Sequence, residues 1–324
     1  FIINHICNKG DEQNMKRNII IATALALSAF GAGALAYGAA EHKEISGPFA
    51  SPMEVTKKCL ECHEDAAHDV MQTSHWTWKL QQDYGGRGQV DRGKKNAVNN
   101  FCISVNGNWA RCTSCHIGYG WKDANFDFSD ASRIDCLVCH DTTGKYKKPG
   151  PAAGMPAGFT GKEKFDKKSV DLLAVAQNIG TPSRENCIVC HGFGGGGNNV
   201  KHGDIDSSML SPTRDHDVHM DAEGQNFTCQ TCHTTEKHQI RGNAMVVSPR
   251  GASHLSCTDC HDAEPHGESL LDTHTARVAC QTCHIPAIAK EMPTKLSWDW
   301  STAGGDIVDK TVDEYGKHAY NKKK

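Results

Sequence analysis

One short motif dominates this chain of 324 residues: Cys-x-x-Cys followed at once by His occurs seven times. The copies use 14 of the 16 cysteines. They are numbered here in chain order as motifs 1 to 7: Cys59-Cys62-His63, Cys112-Cys115-His116, Cys136-Cys139-His140, Cys187-Cys190-His191, Cys229-Cys232-His233, Cys257-Cys260-His261 and Cys280-Cys283-His284. Any fold of this chain must therefore accommodate seven copies of the same reactive set, two thiols and one imidazole.

This motif is the attachment signature of c-type haem. Two thiols at this spacing reach the two vinyl groups on one edge of the porphyrin, and the adjacent His lies under the iron as an axial ligand. Zinc ribbons, thioredoxin-like dithiols and disulfides also use paired cysteines, but none of them requires a His directly after the second Cys. The sequence therefore predicts seven covalently attached haem c groups, with the motif cysteines as attachment points and the motif histidines as ligands.

The aliphatic composition agrees with a haem-filled interior. Leu, Ile, Val and Phe make up about 17% of the residues, below the ~20% at which disorder becomes a concern. The net charge of only -3 argues against disorder, so the flat macrocycles must replace part of the usual core. With 35 basic and 38 acidic side chains and no basic tail, nucleic acid is not an expected partner.

The N-terminal region predicts export. Met15, Lys16 and Arg17 precede an apolar stretch at residues 19–35, which ends in a small-x-small cleavage pattern. A retained membrane anchor is the alternative, since this stretch is at the short limit for a spanning helix. We expect residues 1–14 to be an upstream extension, 15–36 a signal peptide and 37–324 one multihaem unit. That unit has no stable membrane span after cleavage, and its predicted location is the periplasm.

The expected fold is mainly α-helical with extensive irregular loops wrapped around closely packed haems. Ser169 is the predicted N-cap of a helix that stops at Gly180, and residues 57–73 are a second helical candidate. Loops are predicted at residues 147–161 and 192–199, and alternating strand patterns are nearly missing. The short gaps between motifs predict that haems 2 and 3, and haems 5 to 7, are close neighbours.

Each iron also needs a ligand, or an open position, on its far side. A bis-His iron is saturated and suits electron transfer, whereas a weak or absent sixth ligand lets substrate bind. Of the twelve histidines outside the motifs, His5, His42 and His318 lie near the chain ends and are set aside. The candidate distal ligands are His68, His75, His202, His216, His219, His238, His254, His266 and His274. Nine candidates can saturate seven irons, so counting alone does not locate an active site.

Six runs between and around the motifs resemble the octahaem tetrathionate reductase family, which is related to hydroxylamine oxidoreductases and multihaem nitrite reductases. The runs lie at residues 73–78, 99–103, 112–121, 135–141, 200–204 and 298–304. The resemblance extends over about residues 50–310. Members of that family carry eight haems, and this chain has seven motifs. We therefore expect a chain that is incomplete at its C-terminus, with an eighth haem beyond residue 324 in the full-length protein; a shortened derivative is the alternative.

The resemblance implies a periplasmic reductase whose second haem has a Lys as its distal ligand and a Cys close to that pocket. Carried over, the second haem is that of His116, the thiol is Cys102 and our choice for the ligand is Lys201, with Lys147 and Lys148 as alternatives. Lys must lose a proton to bind iron, which costs about 4.6 kcal/mol at pH 7 from its reference pKa. The position held by Lys should therefore open most readily. A solvated loop residue is the alternative for Lys201, and a small buried hydrophobe is the alternative for Cys102.

Two functions remain open at this point. The first is an enzyme that splits tetrathionate into two thiosulfates with two electrons, with nitrite and hydroxylamine as further substrates. The second is a non-catalytic electron wire. Both need a redox partner such as a quinol dehydrogenase or a small cytochrome. In the enzyme, cationic residues ahead of motif 2 would guide the anionic substrate; the candidates are Arg87, Arg92, Lys94, Lys95 and Arg111, for which a solvated basic loop is the alternative.

Overall fold

The computed structural model describes residues 42–83, 86, 88–96, 104–192, 198, 205–242, 255–287 and 290. Short helices dominate these residues, as predicted. The helices, in chain order, are α1 (Pro52–Leu60), α2 (Ala66–Met71), α3 (Ser74–Thr77), α4 (Trp109–Cys112), α5 (Leu137–His140), α6 (Glu163–Asp166), α7 (Leu172–Ala176), α8 (Arg184–His191), α9 (Cys229–Cys232), α10 (Ser269–Thr275) and α11 (Gln281–His284). Single 3-10 turns lie at Val105–Gly107, Thr113–Cys115, Ala131–Arg133, Ser207–Leu210 and Cys257–Asp259. The expectation of mainly α structure with irregular loops is confirmed.

Sheet is confined to two small antiparallel hairpins in the described part of the chain. Strands β1 (Leu80–Asp83) and β2 (Gln89–Arg92) pair with Leu80 opposite Arg92. Strands β3 (Thr235–Glu236) and β4 (Gln239–Ile240) pair with Glu236 opposite Gln239. The turn of the second hairpin has two residues with positive φ, Lys237 at 46° and His238 at 63°.

Two helix predictions need correction at their ends. Helix α7 begins after Asp171, whose carboxylate accepts the Ala174 N–H at 3.0 Å, so Asp171 and not Ser169 is the N-cap. The helix ends before Gln177, ahead of the predicted stop at Gly180. The helix predicted over residues 57–73 is two helices, α1 and α2, because the chain turns at motif 1.

The apolar core lies in the first part of the molecule. Val55 of α1, Leu137 of α5 and Val175 of α7 are each 1% exposed and pack in one cluster. Two smaller clusters are built around Trp76 and around Trp78 with Trp121. All three clusters draw on residues between 45 and 179. The described residues from 205 onward instead leave large apolar side chains exposed: Ile205, Leu210, Val218, Ile240, Leu270, Leu271, Val278 and Ile285.

Buried Arg184 joins these two regions. Its guanidinium, at the start of α8, donates to the carbonyls of Met220 and Phe227 at 2.7 Å each and to Asn226 Oδ1 at 2.9 Å. Motif 4, which ends α8, is therefore tied to the loop that leads into motif 5. Within the described residues, no helix is both long enough and apolar enough to cross a membrane.

Candidate haem sites

The motifs share one local geometry, and motif 2 departs from it. In motifs 1, 3, 5, 6 and 7 the His N–H donates to the carbonyl of the first Cys at 2.8 to 3.2 Å, which closes one α-helical turn. Motif 4 lies within α8. In motif 2 the His116 N–H instead donates to Thr113 O at 3.0 Å, a tighter 3-10 turn, and His116 is extended. The helical turn sets two thiols and one imidazole on one side of the backbone, so motif 2 presents its imidazole differently.

Five motif imidazoles each face another imidazole across a gap. The ring centroids are 6.1 Å apart for His42 and His63, 6.0 Å for His75 and His191, 6.5 Å for His140 and His238, 6.0 Å for His219 and His261, and 5.9 Å for His266 and His284. Two imidazoles bound to opposite sides of one metal, with metal–nitrogen bonds of about 2.0 Å, have centroids roughly 6 to 6.5 Å apart. The observed gaps therefore fit one iron between each pair of rings.

The structure brings four of the predicted distal ligands, His75, His219, His238 and His266, to a motif His. His75 is half-buried, and desolvation lowers its pKa, which favours the neutral imidazole that binds iron. His68 lies elsewhere: its exposed ring contacts Gln72 and Asp69. His274, near the end of α10, is exposed and does not face a motif ring in the described part of the chain.

One residue that the sequence analysis set aside takes a ligand position. His42 lies opposite His63, although it was discounted as a residue near a chain end. The only indication for His42 in the sequence was that each motif His needs a second axial ligand on the far side of its iron. His202 and His254 lie outside the described residues. His233 has no imidazole opposite it among the described residues, and His202 and His254 stay candidate distal ligands whose haems are not assigned. His216 is buried at 7% exposure.

Several motif imidazoles have one ring nitrogen already bonded to a carbonyl. His140 Nδ1 donates to Gly180 O at 2.9 Å, and His233 Nδ1 donates to Arg241 O at 2.9 Å. A bond of this kind fixes the tautomer and leaves Nε2 for a metal. Among the described residues, no group of three or more His, Cys, Asp or Glu side chains converges as the ligands of a bare metal ion. Pairs of imidazoles suit a metal whose other four ligands come from a macrocycle.

The motif thiols show which sites are neighbours. The described motif cysteines form no disulfides with one another. A hydrogen bond from Cys136 lowers the pKa of Cys59, and a hydrogen bond from Cys187 lowers the pKa of Cys229 to about 6. Cys190 Sγ lies 4.0 Å from Cys115 O. Burial, followed by the nearby Cys280 thiol, raises the pKa of Cys257. Motif 1 thus adjoins motif 3, motif 4 adjoins motifs 2 and 5, and motif 6 adjoins motif 7.

The ring of His116 lies in an aromatic enclosure, and among the described residues no imidazole faces it. Its centroid is 4.7 Å from that of Trp121, 5.2 Å from Trp76 and 5.4 Å from Phe126, with Trp78 and Phe128 completing the enclosure. Its Nε2 donates to Trp76 O at 2.7 Å, a hydrogen bond that would have to be given up if this nitrogen were to hold an iron. Burial, reinforced by the ammonium groups of Lys148 and Lys95, lowers the pKa of His116 to about 3.

Helix α3 connects the aromatic enclosure of motif 2 with the site of motif 4. Thr73 caps the helix by accepting the Trp76 N–H at 3.2 Å, and the helix ends at Trp78 in a left-handed conformation with φ 51°. The two consecutive residues His75 and Trp76 thereby serve different sites. His75 faces the ring of motif 4, and Trp76 forms a wall of motif 2.

Three lysines surround motif 2. Lys94 Nζ donates to Cys112 O at 3.2 Å and lies 4.5 Å above the Trp78 ring. Lys95 Nζ lies 3.7 Å above the Phe128 ring. Lys148 Nζ donates to His116 O at 2.6 Å and lies 2.8 Å from Asp135 Oδ2, in a pair whose side chains are 5% and 0% exposed.

The other residues named for this site are placed as follows. The Lys148 amine is engaged in its ion pair, and Lys147 is exposed. The side chains of Arg92 and Arg111 are exposed at the surface. Three predicted residues lie outside the described part of the chain, and their roles stay predictions: Lys201, Cys102 and Arg87.

We expect seven haems on the intact chain, because every motif supplies two thiols and one imidazole, and five of the motif imidazoles lie opposite a second imidazole. Mass spectrometry of the exported protein should show seven covalent additions of haem. Changing Cys229 and Cys232 to Ala should remove one addition and leave the others. Bound zinc, or an unchanged mass in that variant, would contradict the assignment.

Comparisons with known proteins point in the same direction. The family model described as cytochrome c7 and related cytochrome c matches residues 212–285. The chain is 26% identical over 234 residues to an uncharacterized protein of Archaeoglobus fulgidus, a match that covers 59% of this chain and 77% of that protein.

Among solved structures, the chain is similar to an octahaem cytochrome c from Shewanella oneidensis, with 55% identity and a TM-score of 0.70. The match covers 86% of this chain and 60% of that one, so the chain spans about 60% of the length of that cytochrome. Because seven attachment motifs and paired axial imidazoles coincide with these cytochrome matches, the chain is a multihaem c-type cytochrome that binds haem c covalently.

Proposed function

We propose that the protein is a periplasmic reductase that cleaves tetrathionate to thiosulfate at the haem of motif 2. The remaining haems conduct electrons to that site from a quinol dehydrogenase or a small cytochrome. The proposal rests on the surroundings of the motif 2 imidazole, which differ from those of the other motifs. This imidazole is fully enclosed by aromatic rings, while five other motif imidazoles each face a second imidazole.

The reaction breaks the central S–S bond of a dianion. Two electrons enter, no proton is needed, and each half leaves as one thiosulfate dianion. Bound haem supplies the one-electron couples and an iron position where the anion can bind. The contribution of the chain is electrostatic and steric. The ammonium groups of Lys94, Lys95 and Lys148 offset negative charge at motif 2, and the aromatic enclosure keeps water away.

Two residues outside the described part of the chain complete the proposed site. Lys201 is the displaceable sixth ligand, and the Cys102 thiol holds the sulfur chain. Nitrite and hydroxylamine are alternative substrates at the same position. Of the residues proposed to guide the anion, Arg87, Arg92, Lys94, Lys95 and Arg111, two already lie against the enclosure: Lys94 and Lys95.

The decisive experiment replaces the proposed ligand. Lys201→His should saturate the iron and lower the kcat for tetrathionate at least about tenfold, a loss of ~1.4 kcal/mol in transition-state stabilisation. Haem content and reduction by dithionite should stay unchanged. Lys201→Ala should instead add a high-spin signal, and Cys102→Ala should lower turnover without changing haem content. Lys147→Ala, a change at an exposed residue, is the control and should behave like the parent protein.

The electron wire is the competing function. The five imidazole pairs favour it, because saturated irons transfer electrons without binding substrate. Seven low-spin haems in the parent protein, together with unchanged spectra and turnover in both Lys201 variants, would replace the reductase with the wire.

A further inference from the structure

A buried ion pair joins motif 2 to motif 3. The side chain of Lys148 is 5% exposed and that of Asp135 is 0% exposed, and Lys148 Nζ lies 2.8 Å from Asp135 Oδ2. Taking two charges out of water is costly, and a buried pair of this kind is weak evidence for stability. The location of the pair therefore suggests another use.

Each charge is fixed to a different motif. The ammonium group donates to the carbonyl of His116, the axial residue of motif 2, at 2.6 Å. The carboxylate belongs to the residue directly before Cys136, and it accepts the N–H of Val138, inside motif 3, at 3.1 Å. The positive end of the pair thus lies at motif 2 and the negative end lies at motif 3.

The surroundings keep this dipole in place. The Tyr119 hydroxyl, which is fully buried, donates to Asp135 Oδ1 at 3.1 Å. The Asp135 N–H donates to Ile117 O at 2.9 Å, so the backbones that flank the two motifs are also bonded. Burial, followed by the Asp135 charge, raises the pKa values of Tyr119 and Tyr146 well above the ordinary range, so both phenols stay neutral. Lys94 and Lys95 add positive charge on the side of motif 2.

We propose that the Lys148–Asp135 ion pair sets a difference in reduction potential between the haems of motifs 2 and 3 and directs electrons towards motif 2. An iron gains one negative charge when ferric becomes ferrous. The ammonium group favours that change at motif 2, and the carboxylate opposes it at motif 3. One electron leaves the ferrous iron at motif 3, which becomes ferric, and reduces the ferric iron at motif 2; an external cytochrome or quinol dehydrogenase replaces it.

This inference rests on the proposed function only in naming motif 2 as the destination of the electrons. The potentials are measured without substrate, so a failure of tetrathionate reduction and a failure of this inference give different results.

The test is an EPR-monitored redox titration of the haem-loaded chain. Each signal is assigned by its loss when the two cysteines of its motif become Ala. The double variant Lys148→Met/Asp135→Asn removes both charges without leaving one of them unpaired. We expect the two potentials to converge, so that the equilibrium constant for electron transfer from motif 3 to motif 2 falls about tenfold, a change of about 59 mV for one electron.

The matched control removes a second Lys–Asp pair that is exposed to solvent. Lys79 Nζ lies 2.7 Å from Asp91 Oδ2, and the side chains are 33% and 49% exposed. Lys79→Met/Asp91→Asn should leave the difference in potential unchanged, because water screens this pair. A fully haem-loaded Lys148→Met/Asp135→Asn protein with unchanged potentials would overturn the proposal, as would an equal shift in the control.

Tyr119→Phe provides an independent arm if the double variant does not take up its haems. It removes one hydroxyl that donates to Asp135 and keeps the shape of the ring. The carboxylate charge is then less compensated, so the potential at motif 3 should fall while that at motif 2 changes less. If neither potential moves, the ion pair does not set their difference.

Discussion

His75→Ala should open the sixth coordination position of the haem at motif 4. The His75 and His191 rings lie 6.0 Å apart, so we expect the truncation to leave that iron with one protein ligand. One haem in seven should change from low spin to high spin and bind carbon monoxide when reduced. Absorption and EPR spectra of the purified protein measure both effects.

His68→Ala is the matched control for this change. His68 lies in helix α2, close to His75 in the sequence, and its side chain is 79% exposed beside Asp69. Its removal should leave every haem spectrum unchanged. Equal spectra for the parent and His75→Ala proteins, or a new high-spin signal in His68→Ala, would contradict the ring pairing described above.

Loss of the last three haems should unfold the second part of the molecule. The apolar clusters lie between residues 45 and 179. By contrast, Leu270 is 66% exposed, Ile285 49% and Val278 41%. With few apolar contacts of their own, the described residues 205–242 and 255–287 should depend on the haem faces for apolar burial. Changing Cys229, Cys232, Cys257, Cys260, Cys280 and Cys283 to Ala should therefore expose this region.

Limited proteolysis measures the effect. We expect cleavage within residues 205–287 to accelerate by about a hundredfold, equivalent to ~2.8 kcal/mol of opening free energy. Cleavage within residues 104–192 should change much less. A variant that lacks only the haem of motif 1, through Cys59→Ala and Cys62→Ala, is the control for haem loss as such. Equal cleavage rates in the parent protein and the six-cysteine variant would show that this region folds without its haems.

The attachment chemistry was predictable from the sequence because it depends on residues that are adjacent in the chain. Cys136, Cys139 and His140 identify a haem site wherever the segment folds. The distal ligands were harder to assign, because their pairing depends on three-dimensional contacts. His238 reaches His140 from the turn of the second hairpin, and no periodicity predicts this. His42 was missed for the same reason, and His68 was favoured although its ring lies exposed.

Neighbouring sites were predicted in part. The short gap between motifs 6 and 7 correctly indicated that they lie together, as the contact between Cys257 and Cys280 shows. Spacing gave no indication that Cys59 would lie against Cys136, or Cys115 beside Cys190. The aromatic enclosure of His116 was also not predicted, since it brings Trp76 of helix α3 against Trp121 and Phe126 of the loop that follows motif 2.

The ring pairing has a consequence for the order in which the chain matures. Synthesis proceeds from the N-terminus, so a ligand that precedes its motif is waiting when the motif emerges. His42 precedes His63 and His75 precedes His191, so these two irons can be capped as soon as they are attached. The iron on His140 must wait for His238, which emerges only after motif 5. Among the five irons whose ring pairs the structure describes, the one at motif 3 would therefore wait longest for its second ligand during biogenesis.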